Sequence, residues 1–486
     1  MVFSSLVFVF AFFPLCMALY AAVRGTKAKN IILLIFSLVF YAWGEPVYIL
    51  ILIFMTLCDF LAAKAIEKSG SGGKKRAALV AACIINIGLI GVFKYTGFLL
   101  ANVHAIFGIP EIVPKIALPI GISFYTFQLL SYVADVYRGE VKAQKSFWLL
   151  LLYSSLFYQC IAGPIVRYSE VEHDILERRV CADDVFAGIS RFSAGLAKKA
   201  LLANTCGTLT DSLLVSDAFA AKNFSNAAAE LSSRSALGLW LGVLFYMLQI
   251  YLDFSAYSDM AIGMGKMVGF RFNENFNYPY AAKSITDFWR RWHISLSTFF
   301  RDYVYIPLGG NRKGKARTYL NLFIVWLLTG LWHGASWNFV LWGLYFFVFL
   351  VIEKAGFLKV LEKIPAFFSR AYSLIIVYFG WILFKFTDFR YIPIVLKGLF
   401  GLNGNPLSDF ETRTVLMGNI IFLVVALVSV TPLVKKLTAA LSKSPKGTFA
   451  HGFYNIAHAA APIAMLFVSV LCLVGDSYNP FLYFQF

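Results

Sequence analysis

Residues 320–352 read LNLFIVWLLTGLWHGASWNFVLWGLYFFVFLVI and show the character of the whole chain. Two apolar runs, 320–332 and 338–352, flank a short stretch of small and polar residues that includes His333. A membrane-spanning helix needs about 20 mostly apolar residues, so each run is a candidate span. An ionisable side chain at membrane depth is costly unless it faces protein or water. His333 is therefore a candidate functional residue.

The composition extends this membrane character to the full sequence. Of 486 residues, 59% are hydrophobic and 14% are charged, whereas about 25% of the residues in soluble domains are charged. These proportions exclude a disordered chain and disfavour a soluble globular protein. The net charge of +17 has two interpretations, nucleic-acid binding or a collection of Lys and Arg in cytoplasmic loops. For a membrane protein the second is favoured.

Apolar segments recur along the chain and predict an all-α polytopic membrane protein with about eleven transmembrane helices. The candidate spans are 2–22, 31–44, 46–65, 77–93, 115–134, 147–162, 236–252, 320–332, 338–352, 371–386, 414–434 and 457–475. The middle of the chain is more polar. Its segment 184–214 has apolar positions near helical spacing and is predicted either as an interfacial helix or as a crossing.

Basic residues in the loops orient the predicted helices. Arg24, Lys27 and Lys29 follow the first span, whereas the short turn 44–46 has no basic residue. Because Lys and Arg collect in cytoplasmic loops, we expect the N-terminus on the external side. Four lysines precede the last span and are then cytoplasmic. That span runs outward, and the C-terminal residues 481–486 are expected to emerge on the external side.

His333 lies in a stretch that leaves space around it. Gly330, Gly334 and Ala335 surround it in sequence and allow close approach of backbone or substrate. A neutral imidazole at such a position can act as a general base. The other interpretation is a histidine that merely hydrogen-bonds between helices, and the residues alone leave both open.

His293 lies in a second polar stretch, next to Arg290 and Arg291. Guanidinium groups bind phosphates by paired hydrogen bonds. The surrounding block 271–317 holds nine Lys or Arg and three acidic residues, a net of +6. Such a block could bind a phosphorylated donor or anionic lipid headgroups. It could equally be a topological signal, with the helix around His293 anchored at the interface by Trp and Arg.

Asp253 and Ser255 interrupt another apolar run, and Asp259 follows them. Buried carboxylates need partners, so this insertion either lines a polar tunnel or joins helices, and we favour the structural role. No spacing of His, Cys or carboxylates supports a metal site.

Several of these segments resemble a known family. Trp332-His333-Gly334, together with 287–293, is similar to the signature of the membrane-bound O-acyltransferases. Further similar segments are 1–5, 41–43, 119–138, 162–168, 253–263, 305–311 and the C-terminal FLYFQF at 481–486. These resemble the branch of the family that O-acetylates alginate. The resemblance spans nearly the whole chain, so the combination is specific although each piece alone is not.

The resemblance implies an O-acyltransferase that passes an acetyl group across the membrane for O-acetylation of an exported polysaccharide. It implies one domain, 1–486, built around a tunnel, with interfacial or re-entrant helices and an aromatic relay-like motif at 476–486. His333 matches the catalytic histidine, and His293 occupies the second family position. Tyr483 matches a tyrosine implicated as an acyl carrier in related teichoic-acid systems; its other interpretation is an interfacial anchor. The predicted donor-binding or tunnel-lining residues are Arg290, Arg291, Trp332, Asn338, Asp253 and Ser255.

The resemblance also implies the surroundings of the enzyme. Acetyl-CoA is the expected donor, with no bound cofactor, and the expected location is the bacterial inner membrane. Expected partners are membrane lipids, an SGNH-type extracytoplasmic acetyltransferase and a polysaccharide acceptor that is alginate-like, peptidoglycan or another envelope glycan. Nucleic acid is not expected.

Two other functions fit the composition, a transporter or flippase and a non-catalytic scaffold of an export complex. Transporters often carry inverted repeats, and the sequence shows no evident repeat. A scaffold gives no reason for His333 beside small residues.

Overall fold

The protein is helical throughout the part of the chain that the structure describes. The computed structural model describes residues 1–70, 72–108, 116–161, 163–475 and 481–482, and none of these residues forms a β-strand. The first helices are α1 (Phe13–Ala22), α2 (Thr26–Gly44), α3 (Ile49–Lys68), α4 (Gly73–Ile90), α5 (Thr96–Phe107), α6 (Ile122–Arg138), α7 (Phe147–Ser155) and α8 (Tyr168–Leu176). The predicted all-α architecture is confirmed.

The central helices include the 32-residue helix Ala236–Met267, most of whose residues are buried. They are α9 (Ala182–Ala197), α10 (Asn204–Leu213), α11 (Asp217–Lys222), α12 (Phe224–Ser233), α13 (Ala236–Met267), α14 (Ile285–Trp289), α15 (Ile294–Phe300), α16 (Gly314–His333) and α17 (Trp337–Ile352). The last helices are α18 (Leu358–Lys363), α19 (Ala366–Lys385), α20 (Tyr391–Leu399), α21 (Phe410–Gly418), α22 (Ile420–Ser429), α23 (Leu433–Ser442) and α24 (Phe449–Gly475). Short π-helical turns join α4 to α5 at Gly91–Tyr95 and α9 to α10 at Lys198–Ala203.

Six of the described helices are long and apolar enough to cross a membrane, and the bent pair α21–α22, with 61° between its halves, would make a seventh. The six are Thr26–Gly44, Ile49–Lys68, Gly73–Phe107, Ala236–Met267, Ala366–Lys385 and Phe449–Gly475. A multi-pass membrane protein is therefore confirmed, whereas the predicted total of about eleven crossings is not. Several of the remaining candidate spans form shorter helices.

The predicted span 147–162 is one of the shortened segments, because α7 ends at Ser155. The Ser155 hydroxyl donates to the carbonyl of Leu151 at 2.6 Å, and such bonds compete with the helical ladder. The chain after α7 lies against the turn before α6. There Gly121 has φ +78°, and a Cβ on it would meet the Cys160 carbonyl oxygen at 2.5 Å.

The segment 184–214 lies against α13 along most of its length. Helices α9 and α13 approach each other at glycines. A Cβ on Gly188 would come within 2.6 Å of the Gly263 carbonyl oxygen, and one on Gly195 within 2.8 Å of the Ala256 carbonyl oxygen. Small residues let helix backbones approach closely inside membranes. This approach places the side chains of the π-helical turn against the middle of α13.

Helices α16 and α17 form a tight hairpin around His333. A Cβ on Gly330 would overlap the carbonyl of Phe339, and a Cβ on Gly343 would overlap the carbonyl of Trp326. Gly330, which was predicted to leave space, thus serves a close approach of two backbones, as does Gly343. Because α16 ends at His333, this contact fixes where the histidine enters the core.

Candidate active site

His333 is buried at the C-terminal end of α16, with 5% of its surface exposed. Its ring lies edge-on to Trp342, with ring centres 4.8 Å apart, and to Phe384, at 5.4 Å. Trp332 lies on a third side at 5.0 Å. The histidine is therefore enclosed by protein, as the cost of an ionisable group in apolar surroundings requires.

The turn that carries His333 is held from outside by the π-helical turn between α4 and α5. Lys94 Nζ donates to the carbonyl of Trp332 at 2.5 Å, and the Tyr95 hydroxyl donates to the carbonyl of Leu331 at 2.5 Å. The last carbonyls of a helix have no partner within the helix, and a cation suits its negative end. Lys94 and Tyr95 therefore fix the end of α16 and the direction of His333.

His293 lies between α14 and α15 with a left-handed backbone, φ 44° and ψ 56°. Such a conformation costs free energy in a residue other than glycine and is concentrated at functional sites. Its Nδ1 lies 3.1 Å from Asn275 Oδ1, which also accepts from the Ser295 hydroxyl at 2.9 Å. Because Asn275 Oδ1 is an acceptor, the ring proton belongs on Nδ1.

The other ring nitrogen of His293 is left as an acceptor. Burial lowers the pKa of His293 to about 3, so the ring is neutral at physiological pH. No partner for Nε2 lies within the described part of the chain. His293 can therefore accept a hydrogen bond from a bound molecule at Nε2.

A cavity of about 240 Å³ joins these two histidines to a basic surface. It follows one face of α16 from Leu322 to His333, eleven residues or about 16 Å along a helix axis. Arg290 and Arg301 line it and are exposed, so they form its rim. The remaining lining residues are Thr286, Trp289, Trp292, His293, Leu296, Ser297, Phe300, Tyr305, Val325, Trp326, Thr329 and Leu350.

A second, smaller cavity of about 20 Å³ is also lined by His333. It has room for about one water molecule. Its lining residues are Ile250, Asp253, Phe254, Trp292, His333, Trp342, Trp381, Phe384 and Leu482. His333 and Trp292 line both cavities. His333 is therefore next to the passage from the basic rim and next to the pocket that Leu482 lines.

The C-terminal segment enters the bundle. Phe481 is fully buried and Leu482 is 9% exposed, and the amide of Leu482 donates to Asp253 Oδ2 at 2.6 Å. Both residues are therefore packed inside the bundle. That residues 481–486 lie on the external side of the membrane stays a prediction. Tyr483, like most of the 476–486 motif, lies outside the described residues.

The other predicted residues have separate positions. Arg291 pairs with Asp287 at 2.8 Å and lines neither of the two cavities. Asn338 donates to the carbonyl of Leu383 at 3.2 Å and so ties α17 to α19. The Ser255 hydroxyl donates to its own helix, at Leu252. These placements give Asn338 and Ser255 structural contacts.

Asp253 has the partner that a buried carboxylate needs. Lys199 Nζ lies 2.6 Å from its Oδ1, and both side chains are 3% exposed. Sequence reasoning did not assign Lys199 or Lys94 to the site. The available signal was a lysine in an apolar stretch, alone at Lys94 and beside Lys198 at Lys199. Their partners lie 54 and 238 positions away in sequence, which no local pattern can identify.

Comparison with known proteins identifies a family model and several relatives that match this chain. The model of the membrane-bound O-acyltransferase family, MBOAT, matches residues 140–389. The chain is 36% identical over 507 residues to "Probable alginate O-acetylase AlgI" of Pseudomonas putida, covering 100% of both chains. It is 33% identical over 439 residues to "Peptidoglycan O-acetyltransferase" of Helicobacter pylori, covering 83% of this chain and 80% of that protein. It is 27% identical over 288 residues to "Teichoic acid D-alanyltransferase" of Bacillus subtilis, covering 56% and 69%.

Proposed function

The chain belongs to the membrane-bound O-acyltransferase family, and from this membership we propose that it passes an acetyl group from cytoplasmic acetyl-CoA through the bacterial inner membrane to an exported polysaccharide. The observation that supports this most directly is that His333 lines two cavities. One cavity has a basic rim suited to a phosphorylated donor. The other is lined in part by Leu482 of the C-terminal segment.

The larger cavity is the proposed donor site. Arg290 is exposed on its rim and is not in an ion pair with any described residue, so it is available to the phosphates of coenzyme A. The pantetheine arm then lies along α16, with its thioester near His333. The acceptor nitrogen of His293 orients an amide N–H of this arm.

His333 is the proposed general base. It takes the proton from the acceptor hydroxyl while that oxygen attacks the carbonyl carbon of the thioester. The carbon–sulfur bond breaks as the new carbon–oxygen bond is completed. The imidazolium then returns its proton to the thiolate of coenzyme A, and His333 is neutral again.

The first acceptor in this proposal is the Tyr483 hydroxyl. Leu482 lines the cavity that contains His333, and Tyr483 is the next residue in the chain. A phenyl ester is activated for onward transfer. An SGNH-type partner outside the membrane then moves the acetyl group to a glycan hydroxyl, which restores the phenol. The glycan is alginate-like, peptidoglycan or a related envelope polymer, as the names of the relatives suggest.

Labelled acetyl-CoA tests this function directly. Purified protein in detergent should acquire acetyl label on Tyr483, located by mass spectrometry of the C-terminal peptide. A Tyr483→Phe variant keeps the ring and lacks the oxygen, so labelling should fall by at least about 100-fold. Tyr454→Phe, on α24, is the matched control and should label normally.

Two results would contradict the proposal in different ways. Full labelling of the Tyr483→Phe variant would remove the tyrosine relay. If the parent protein neither acquires nor hydrolyses the acetyl group, acetyl-CoA is not its donor, and a transport function becomes the better interpretation.

Lys94 gives a separate test of how His333 is positioned. Lys94→Met removes the hydrogen bond to the Trp332 carbonyl and leaves residue 333 a histidine, but one whose ring is less firmly positioned. Because small misplacements of a catalytic group are costly, we expect kcat to fall by about 10- to 100-fold, with an unchanged KM for acetyl-CoA. Steady-state kinetics of purified protein provide the measurement, and Lys68→Met at the end of α3 is the control. A normal kcat would show that Lys94 does not position the histidine.

A further inference from the structure

Asp253, in the middle of α13, and Lys199, on the π-helical turn Lys198–Ala203, form a buried ion pair. Removing two charges from water is expensive, and their attraction compensates only when the remaining polar atoms also have partners. Lys199 Nζ occupies Oδ1 of the carboxylate at 2.6 Å. The other oxygen, Oδ2, accepts the amide of Leu482 at 2.6 Å. The second carboxylate oxygen thus has its hydrogen-bond partner in a residue 229 positions away in sequence.

The same pair also holds the side chain before Leu482. The ring centre of Phe481 lies 4.7 Å from Lys199 Nζ, a distance at which a cation is attracted to an aromatic face. Tyr257 lies edge-on to the ring at 5.1 Å. Phe481 is fully buried. In the C-terminal segment, here called the tail, the backbone of Leu482 therefore contacts Asp253 and the ring of Phe481 contacts Lys199.

A neighbouring ion pair shows what is particular about this one. Lys198 and Asp259 also join the π-helical turn to α13, at 2.5 Å. Asp259 receives its other hydrogen bonds from Arg191, at 2.9 and 3.1 Å, so its partners all lie on the α9 side. The Lys198–Asp259 pair joins two helices. The Lys199–Asp253 pair joins the same two elements and, in addition, binds the tail.

We propose that the Lys199–Asp253 pair is a binding site for the chain's own C-terminal segment and holds that segment beside the cavity lined by His333. The carboxylate fixes the backbone at Leu482, and the ammonium fixes the ring of Phe481. Two anchors on consecutive residues define the direction of the chain as well as its position. What the segment presents to His333 rests on the proposed function, whereas the binding itself does not.

Hydrogen–deuterium exchange of the full-length protein tests the site without reference to activity. The variant Lys199→Met/Asp253→Leu replaces the pair by apolar residues of similar size, which is commonly tolerated, but it removes the acceptor for Leu482. Loss of a charge-assisted hydrogen bond should speed exchange of the Leu482 amide by about 10- to 100-fold. The matched control is Lys198→Met/Asp259→Leu, in which Leu482 should exchange as in the parent.

A second variant acts on the tail itself. Phe481→Ala removes the ring that contacts Lys199 and Tyr257, and it replaces no residue of a helix. It should also speed exchange of the Leu482 amide. Parental protection of the Leu482 amide in either variant would overturn the proposal. Tyr483→Phe separates this site from the proposed function, because it should lose acetyl transfer and keep Leu482 protected. Conversely, rapid exchange with normal transfer would sink the positioning role while the acyltransferase assignment stands.

Discussion

Replacement of His333 by Ala is expected to lower acetyl transfer by about 10²- to 10⁴-fold, the range that general acid–base groups contribute. The protein should still fold, because the imidazole is removed from a site bounded by aromatic rings and by two cavities. The measurement is the initial rate of coenzyme A release from acetyl-CoA by purified protein. Binding of acetyl-CoA should persist, since the basic rim is unchanged.

His173→Ala is the matched control for this substitution. Its side chain is 83% exposed, so its loss should leave the rate unchanged. Undiminished transfer by the His333→Ala variant would exclude His333 as the base and would move attention to His293, which lines the same larger cavity.

Replacement of Lys199 by Met alone is expected to destabilise the protein by about 3–5 kcal/mol, because it leaves Asp253 as a buried charge without its cation. The buried carboxylate then lacks its counter-ion, and this opposes folding. The measurement is the free energy of unfolding of detergent-solubilised protein by denaturant, followed by tryptophan fluorescence. The double variant Lys199→Met/Asp253→Leu should recover most of the loss.

Lys198→Met provides the comparison. Asp259 keeps Arg191 at 2.9 Å when Lys198 is removed, so its stability loss should be clearly smaller. If the Lys199→Met variant unfolds at the same denaturant concentration as the parent, the buried pair contributes no net stability. Lys199 is then not the cation that stabilises the Asp253 carboxylate, which accepts from Leu482.

The sequence was sufficient to predict the helical membrane fold and to mark His333 as a candidate, since both follow from local patterns. Apolar runs identify helices, and an imidazole between two such runs is conspicuous. The end of α13 was not predictable in the same way. The apolar run stops at residue 252, but the helix continues to Met267, because Asp253 and Asp259 find cations on another element.

The geometry of the site depends on contacts between distant parts of the chain. No spacing in the sequence brings Lys94 to the Trp332 carbonyl or the Leu482 amide to Asp253. His293 is a similar case. Which of its ring nitrogens can accept a hydrogen bond depends on the contact of the other nitrogen with Asn275. Polar residues in apolar runs can therefore be marked as costly from sequence, whereas the partners that compensate the cost come only from the fold.

The small cavity beside His333 also bears on how the membrane stays sealed. With room for about one water molecule and walls that are mostly aromatic, it cannot contain a continuous file of waters. Protons move rapidly along such files, and a bundle that passes chemical groups between two compartments would otherwise short-circuit the membrane potential. In the proposed function an acyl group crosses by covalent transfer and needs no open channel, so its export would leave the proton gradient of the cell intact.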